Sequence, residues 1–151
     1  MPVPAVGSVA PDFTLTSTGA AAVTLSQFRG QGRVLLAFFP LAFTSVCTAE
    51  MCAFTDDYGS FAAAGVTVLP ISVDSIPTLK EFKAKHNMTV DLLSDFKREV
   101  SRAYGTLLEE LFFSNRAYFL IDTDGIVQWA HVESTPGTSR TTAEILAAIA
   151  G

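Results

Sequence analysis

Positive charge, histidine and cysteine are all scarce in this chain. Ten Lys and Arg stand against fifteen Asp and Glu, a net charge of -5, and the pI is about 4.8. Phosphate backbones and anionic bilayers recruit surplus positive charge, so this balance argues against nucleic acid and membrane as partners. No apolar run approaches the ~20 residues that span a bilayer. The opening Met1-Pro2-Val3-Pro4 lacks the charged and apolar regions of a secretory signal, so a cytoplasmic setting is expected. There are two cysteines, Cys47 and Cys52, and two histidines, His86 and His131. In a reducing compartment a cysteine pair is more often catalytic or metal-binding than structural. Four residues separate the two, so the Cys-x-x-Cys of a simple thioredoxin-type reductase is absent. No repeat, low-complexity tract or linker interrupts the chain, and one domain over residues 1–151 is expected.

Apolar residues, by contrast, make up 49% of the chain and charged ones 17%, a balance that suits a sheet covered on both faces. Residues 34–39 form an apolar run that reads as a buried strand, halted by Pro40, which cannot donate to a ladder. Thr44 and Ser45 are good N-cap residues. Cys47 then falls in the first turn of a helix that starts at the carboxyl end of a strand, the usual place for a site in open α/β sheets. A thiolate is the reactive form of cysteine, and helix N-termini, cations and hydrogen-bond donors favour it. A small buried cysteine that packs as a hydrophobe is the alternative.

Further along, residues 13–16 and 23–25 read as a hairpin, followed by a short helical turn capped by Ser26. Met51, Phe54, Tyr58 and Phe61 recur at helical spacing and predict one buried face ending near Gly65. Residues 66–73 predict a second core strand, parallel to the first, although Pro70 is awkward there. A helix begins near Ser75-Ile76-Pro77-Thr78, a short strand is expected over residues 90–93 and a helix over residues 96–104. Asp122-Thr123-Asp124-Gly125 marks a turn between two strands. An Ala-rich helix capped by Thr141 or Thr142 closes the chain. His86 lies in a polar stretch and reads as a solvated helix-end residue. This order of elements predicts a thioredoxin-like α/β fold: a central mixed sheet flanked by helices, with an N-terminal β-hairpin extension.

Pro40, Thr44 and Cys47 match Pro-x-x-x-Thr/Ser-x-x-Cys, and the chain thereby resembles the peroxiredoxins. Phe38-Phe39-Pro40-Leu41-Ala42-Phe43-Thr44 is especially similar to the AhpE and bacterioferritin-comigratory (PrxQ) types. Ala10-Pro11-Asp12-Phe13, Ile71-Ser72-Val73-Asp74, Leu92-Leu93-Ser94-Asp95 and Arg116-Ala117-Tyr118-Phe119 resemble later landmarks in the right order. The resemblance implies a thiol-dependent peroxidase without cofactor or metal. Hydrogen peroxide and organic hydroperoxides are its substrates, and a thioredoxin-like protein or a low-molecular-weight thiol is its reductant. It implies Cys47 as nucleophile, Arg116 and Thr44 as donors to sulfur and peroxide oxygens, and Pro40 as the residue that shapes the loop. Arg29, Arg33, Arg98, Arg102 and Arg140 carry no such motif. Glu50, three residues after Cys47, is placed to orient Arg116, although a solvated glutamate in a first helical turn needs no special role.

Cys52 matches the five-residue offset of many PrxQ-type proteins and departs from the one-cysteine AhpE pattern. In an intact helix the two cysteines would stand ~7.5 Å apart along the axis and face different sides. A disulfide needs Cα atoms within about 7 Å, so bridging requires unwinding. By the resemblance Cys52 is expected to be the resolving cysteine, through an intramolecular Cys47–Cys52 disulfide; the alternative is a helix-face packing residue in a one-cysteine enzyme resolved by an external thiol. Rival readings of the whole chain are a copper-handling protein using Cys47, Cys52 and His131, and a redox-sensing module. Phe43, Leu111, Phe112 and Phe113 are candidates for an apolar interface or for the core, and the chain is expected to be a monomer or homodimer.

Overall fold

The sheet is built on β3 (Arg33–Phe38), which is apolar at every position from 34 to 38 because both of its faces are covered. The computed structural model describes residues 2–150, except the side chains of residues 45–47. β4 (Val66–Ser72) runs parallel to β3, and β8 (Ala117–Ile121) runs antiparallel along its other side. β9 (Val127–Val132) extends the sheet beyond β8. On the far side, β5 (Leu93–Ser94) pairs parallel with β4, and the hairpin of β1 (Thr14–Ser17) and β2 (Ala22–Thr24) joins through β1. The seven-stranded mixed sheet has the order β2-β1-β5-β4-β3-β8-β9. A separate short pair is formed by β6 (Leu107–Leu108) and β7 (Phe113–Ser114).

Alternation along β3 sends its side chains into two cores. Leu35 and Ala37 pack with Met51, Phe54, Phe61, Leu79, Phe82 and Ile145. That face is therefore covered by α1 (Ser45–Asp56), α2 (Tyr58–Ala63), α3 (Ile76–Lys85) and α5 (Thr142–Ala150). Val34, Leu36 and Phe38 enter the opposite core, with Phe13, Leu25, Val100 and Tyr104. This face is covered by the N-terminal segment and α4 (Glu99–Ala103). The Tyr104 ring meets Phe38 at 5.4 Å and Phe119 at 5.1 Å, and its hydroxyl donates to the Pro11 carbonyl at 2.7 Å.

Pro70 is accommodated inside β4 for a local reason. The Phe39 N–H donates to the Ile71 carbonyl, so Ile71 carries the backbone groups that face β3. The Pro70 nitrogen then faces the other flank, where β5 pairs only with Ile71 and Ser72.

The expected elements are present with several differences of extent. The helix after Cys47 breaks at Asp57, and Tyr58 is exposed rather than on the buried face. Gly59 is a poor helix former, and the Asp57 carboxylate accepts the Thr142 hydroxyl, which ties the break to α5. The turn over Leu25–Phe28 is capped by Thr24 with Gln27, not by Ser26. Thr141 caps α5, its hydroxyl accepting the Glu144 N–H at 3.1 Å. The strand expected over residues 90–93 is shifted and shortened to β5, which shares only Leu93 with it, and the helix expected over residues 96–104 is reduced to α4. Arg98 precedes α4 in the left-handed region, with φ 64° and no side-chain cap. Buried Asp95 takes over the capping, accepting from Val100 N–H at 3.2 Å and from Ser101 N–H and Oγ at 2.7 Å each. Asp95→Ala strands two buried N–H groups and is expected to cost about 1–3 kcal/mol, read from the urea unfolding midpoint.

Candidate active site

At the carboxyl end of β3, Pro40 is buried and offers no N–H, so the ladder with β4 stops after Phe39. The loop that follows is pinned from below. The Ala42 N–H donates to Asp74 Oδ2 at 2.8 Å, and Ser72 Oγ donates to the same oxygen at 2.7 Å. Phe43 is held in the left-handed region at φ 66°, a strained state for a residue with a Cβ. Thr44 is the N-cap of α1, with φ -93° and ψ 152°. Its hydroxyl donates to the Leu41 carbonyl at 2.9 Å, and its own carbonyl accepts the Thr48 N–H at 2.9 Å. The motif implies that this hydroxyl donates to sulfur or substrate; in the structure it donates to Leu41 instead. Cys47 is the third helical residue of α1, so its backbone N–H is among those that an α-helix leaves unpaired. The Cys47 side chain lies outside the described residues.

One turn further on, Glu50 shares a helix face with position 47. Arg116 immediately precedes β8, and Tyr118 is two residues on, so both send their side chains to the α1 face. Arg116 is 1% exposed and Glu50 6%, so this is a buried pair and not a solvated one. Arg116 Nη1 donates to Glu50 Oε1 at 2.8 Å, and the Tyr118 hydroxyl donates to Glu50 Oε2. Burial holds the Glu50 carboxyl above its ordinary value of 4.5, while Arg116 and Tyr118 pull it back. Losing one partner of a buried pair leaves the other uncompensated, which costs about 3–5 kcal/mol. An Arg116→Ala chain therefore loses stability as well as a donor.

A segment after β9 straps over the arginine. Arg116 Nη2 donates to the Pro136 carbonyl at 3.1 Å, and the Glu133 N–H donates to the Arg116 carbonyl at 2.9 Å. Asn115 Nδ2 donates to the Glu133 carbonyl at 2.8 Å. The sequence reading did not find Asp74, Tyr118, Glu133 or this strap. Asp74 did lie in the quoted Ile71-Ser72-Val73-Asp74, and Tyr118 in the motif with Arg116. Nothing in the spacing of Glu133 and Pro136 announces contact with a residue some twenty positions away.

Other candidates fall elsewhere. Cys52 is partly buried against the core beneath α1. His131 Nε2 lies 3.0 Å from Glu133 Oε1 and accepts from Arg140 Nε at 2.9 Å, so polar neighbours occupy one of its two ring nitrogens. His86 ends α3 and packs edge-on against Phe82. Phe43, Leu111 and Phe112 are exposed, and Phe43 rests on Phe82 at 5.0 Å. Among the described residues, no helix is long and apolar enough to cross a membrane.

A mixed sheet with a helix opening at the end of its central strand defines the thioredoxin-like class, and solved structures agree. A reduced 2-Cys peroxiredoxin of Plasmodium vivax matches with a TM-score of 0.89 at 36% identity, over 96% of this chain and 80% of that one. Peroxidoxin BcpB of Mycobacterium tuberculosis matches with a TM-score of 0.83 at 30% identity, over 97% and 95%. In sequence, alkyl hydroperoxide reductase E of Mycobacterium tuberculosis is 41% identical over 137 residues, 89% of each chain. The chloroplastic peroxiredoxin Q of Oryza sativa is 39% identical over 127 residues, 83% of this chain and 58% of that protein. The AhpC/TSA family model matches residues 6–130, and the chain belongs to that family. It is a peroxiredoxin, a thiol-dependent peroxidase.

Two outcomes follow from the geometry. Because burial raises the Glu50 carboxyl above 4.5, the folded protein keeps a proton that the unfolded chain has released. Stability therefore falls as pH rises from about 4.5 through the higher folded value, and Glu50→Gln removes that part of the slope; urea unfolding at a series of pH values reads it. Asp74→Ala releases the Ala42 N–H and should slow peroxide reduction while costing only about 1–2 kcal/mol of stability. Stopped-flow rates beside unfolding midpoints separate the two effects.

Proposed function

We propose that Cys47 is the sulfur that reduces hydrogen peroxide and organic hydroperoxides. The observation that carries this is Arg116, buried and fixed by Glu50 one helical turn from position 47. The Cys47 thiolate attacks one peroxide oxygen, forming an S–O bond as the O–O bond breaks. The other oxygen leaves as hydroxide or alkoxide and takes a proton to give water or alcohol. Negative charge moves from sulfur to the leaving oxygen, so donors along that path stabilise the transition state beyond the ground state. Arg116 and the Cys47 N–H supply them. Thr44, with its proton on Leu41, orients the substrate by accepting the peroxide O–H. Buried Pro40 shapes the pocket and shields the sulfur from water.

The sulfenic acid at Cys47 then condenses with a thiol, releasing water and forming a disulfide. We assign that thiol to Cys52, with a thioredoxin-like protein as the final reductant. α1 is continuous from Ser45 to Asp56, so the bridge requires its first turns to unwind. Direct resolution by an external low-molecular-weight thiol is the second reading, favoured by the packing of Cys52 against the core. The working setting is the cytoplasm, with the chain acting as a single domain, as a monomer or a homodimer.

Cys47→Ser should lose all peroxide turnover; turnover like the wild type's would overturn the assignment. Intact-mass analysis after one peroxide equivalent decides the resolving step. Loss of two hydrogens marks the Cys47–Cys52 bridge, and Cys52→Ser should instead gain one oxygen. A wild type that gains oxygen and never forms the bridge makes Cys52 structural. Thr44→Val should lower the peroxide rate constant about 10-fold or more, as loss of a well-placed polar contact does, while loss of the Thr44–Leu41 bond lowers stability by only about 1 kcal/mol.

A further inference from the structure

The Tyr118 hydroxyl sits between two partners with fixed roles. The Arg140 backbone N–H donates to its oxygen at 3.1 Å. An amide N–H cannot accept, so the single hydroxyl proton is directed to Glu50 Oε2. Glu50 in turn gives Oε1 to Arg116. The bonds thus converge on Glu50 from two sides: Arg140 N–H to Tyr118 and Tyr118 to Glu50 on one, Arg116 to Glu50 on the other. The Tyr118 ring has little freedom to leave this position. It is fully buried, and it lies 6.3 Å from the near-parallel ring of His131, its cross-strand partner, and 6.5 Å from that of Trp129.

We propose that Tyr118 is a positioning residue for peroxide reduction, holding the second oxygen of Glu50 so that the carboxylate stays aimed at Arg116. This rests on the roles proposed for Cys47 and Arg116. Without the hydroxyl, Glu50 Oε2 is a buried carboxylate oxygen with no donor among the described residues, and the carboxylate lowers its cost by taking up a proton. A protonated Glu50 no longer balances the guanidinium, and Arg116 loses its fixed aim. The other charged groups around Glu50 push in known directions. Arg116 favours the ionised form and Glu133 opposes it. Glu133 is itself faced by His131 at 3.0 Å and Arg140 at 3.5 Å. The phenol stays a donor throughout, because burial and the Glu50 charge push its own ionisation upward.

The strap is thereby part of the site. Arg140, which gives its N–H to Tyr118, also bonds Glu144 in the first turn of α5 at 3.1 Å. The carboxyl-terminal helix and the arginine share one hydrogen-bonded path.

The experiment measures the second-order rate constant for hydrogen peroxide by stopped flow from pH 5 to pH 9. It compares wild type, Tyr118→Phe, Glu50→Gln and the double variant, with Cys47→Ser as control. Tyr118→Phe keeps the ring and its stacking and removes only the hydroxyl. It should react about 10-fold more slowly at the acid end, the scale of one hydrogen bond to a charged group. It should recover as pH rises and Glu50 ionises again. In the Glu50→Gln background, with no carboxylate left to hold, removing the hydroxyl should change neither rate nor profile. A packing role would instead give a loss independent of pH and equal in both backgrounds, which overturns the proposal. So does a Tyr118→Phe profile that superimposes on the wild type's. If Tyr118→Phe does not fold, Glu50→Gln decides alone: a wild-type rate and profile overturns the relay, and a slowed, altered one supports it. Turnover by Cys47→Ser would refute the Cys47 assignment itself; an inactive Cys47→Ser beside an unaffected Tyr118→Phe refutes only the role of Tyr118.

Discussion

The structure turns on one buried ion pair, Arg116 with Glu50. A guanidinium that is 1% exposed has given up its water and needs every donor directed to an acceptor. Glu50 and the Pro136 carbonyl take two of its N–H groups. Those partners come from α1 and from the strap after β9, so the pair sets how the helix, β8 and the strap sit on one another. Such a pair adds little net stability over an apolar isostere of the same shape. In the proposed reaction its use is a fixed positive charge beside the turn of α1 that carries position 47.

The second constraint is the loop between β3 and α1. Asp74 at the end of β4 takes the Ala42 N–H, and Phe43 is held at positive φ immediately before the N-cap. The end of β4 thereby anchors the loop that leads into α1. The same anchoring bears on Cys52, which packs against the core from the middle of an unbroken helix. Peroxide attack uses the helix as folded, whereas an internal disulfide uses it unwound. The two halves of the proposed cycle thus ask opposite things of α1, and its local stability sets which thiol resolves the sulfenic acid.

Much of the fold was legible in the sequence, because β3, β4 and β8 are short apolar runs bounded by Pro, Gly and Asp-Gly turns. Their largely apolar character and the 49% apolar composition also fit a sheet covered on both faces. Boundaries were less legible where tertiary contacts override periodicity. Met51, Phe54 and Phe61 lie on the buried face as spaced, but Tyr58 does not, because the Asp57–Thr142 contact and Gly59 break the helix between them. At the candidate site, Pro40, Thr44, Cys47 and Arg116 stood out through their motifs, and Glu50 through its offset from Cys47. The burial of Glu50, the Tyr118 hydroxyl and the 133–140 strap were not legible. They depend on which strand lies beside which, and on a crossing of α1 with β8 that local sequence does not encode. The hydroxyl of Thr44 was read as a donor to substrate, and only its distance to Leu41 shows where its proton goes.

The central claim is that this charge cluster makes Cys47 a peroxide-reactive sulfur. The direct measurement is the second-order rate constant of reduced Cys52→Ser protein with hydrogen peroxide, set beside free cysteine under the same conditions and at equal thiolate fraction. The account requires an enhancement of at least about 100-fold, the effect of a single well-placed donor on a developing oxyanion, with the added oxygen mapped to Cys47. A rate equal to that of free cysteine, or oxygen found elsewhere in the chain, would contradict it.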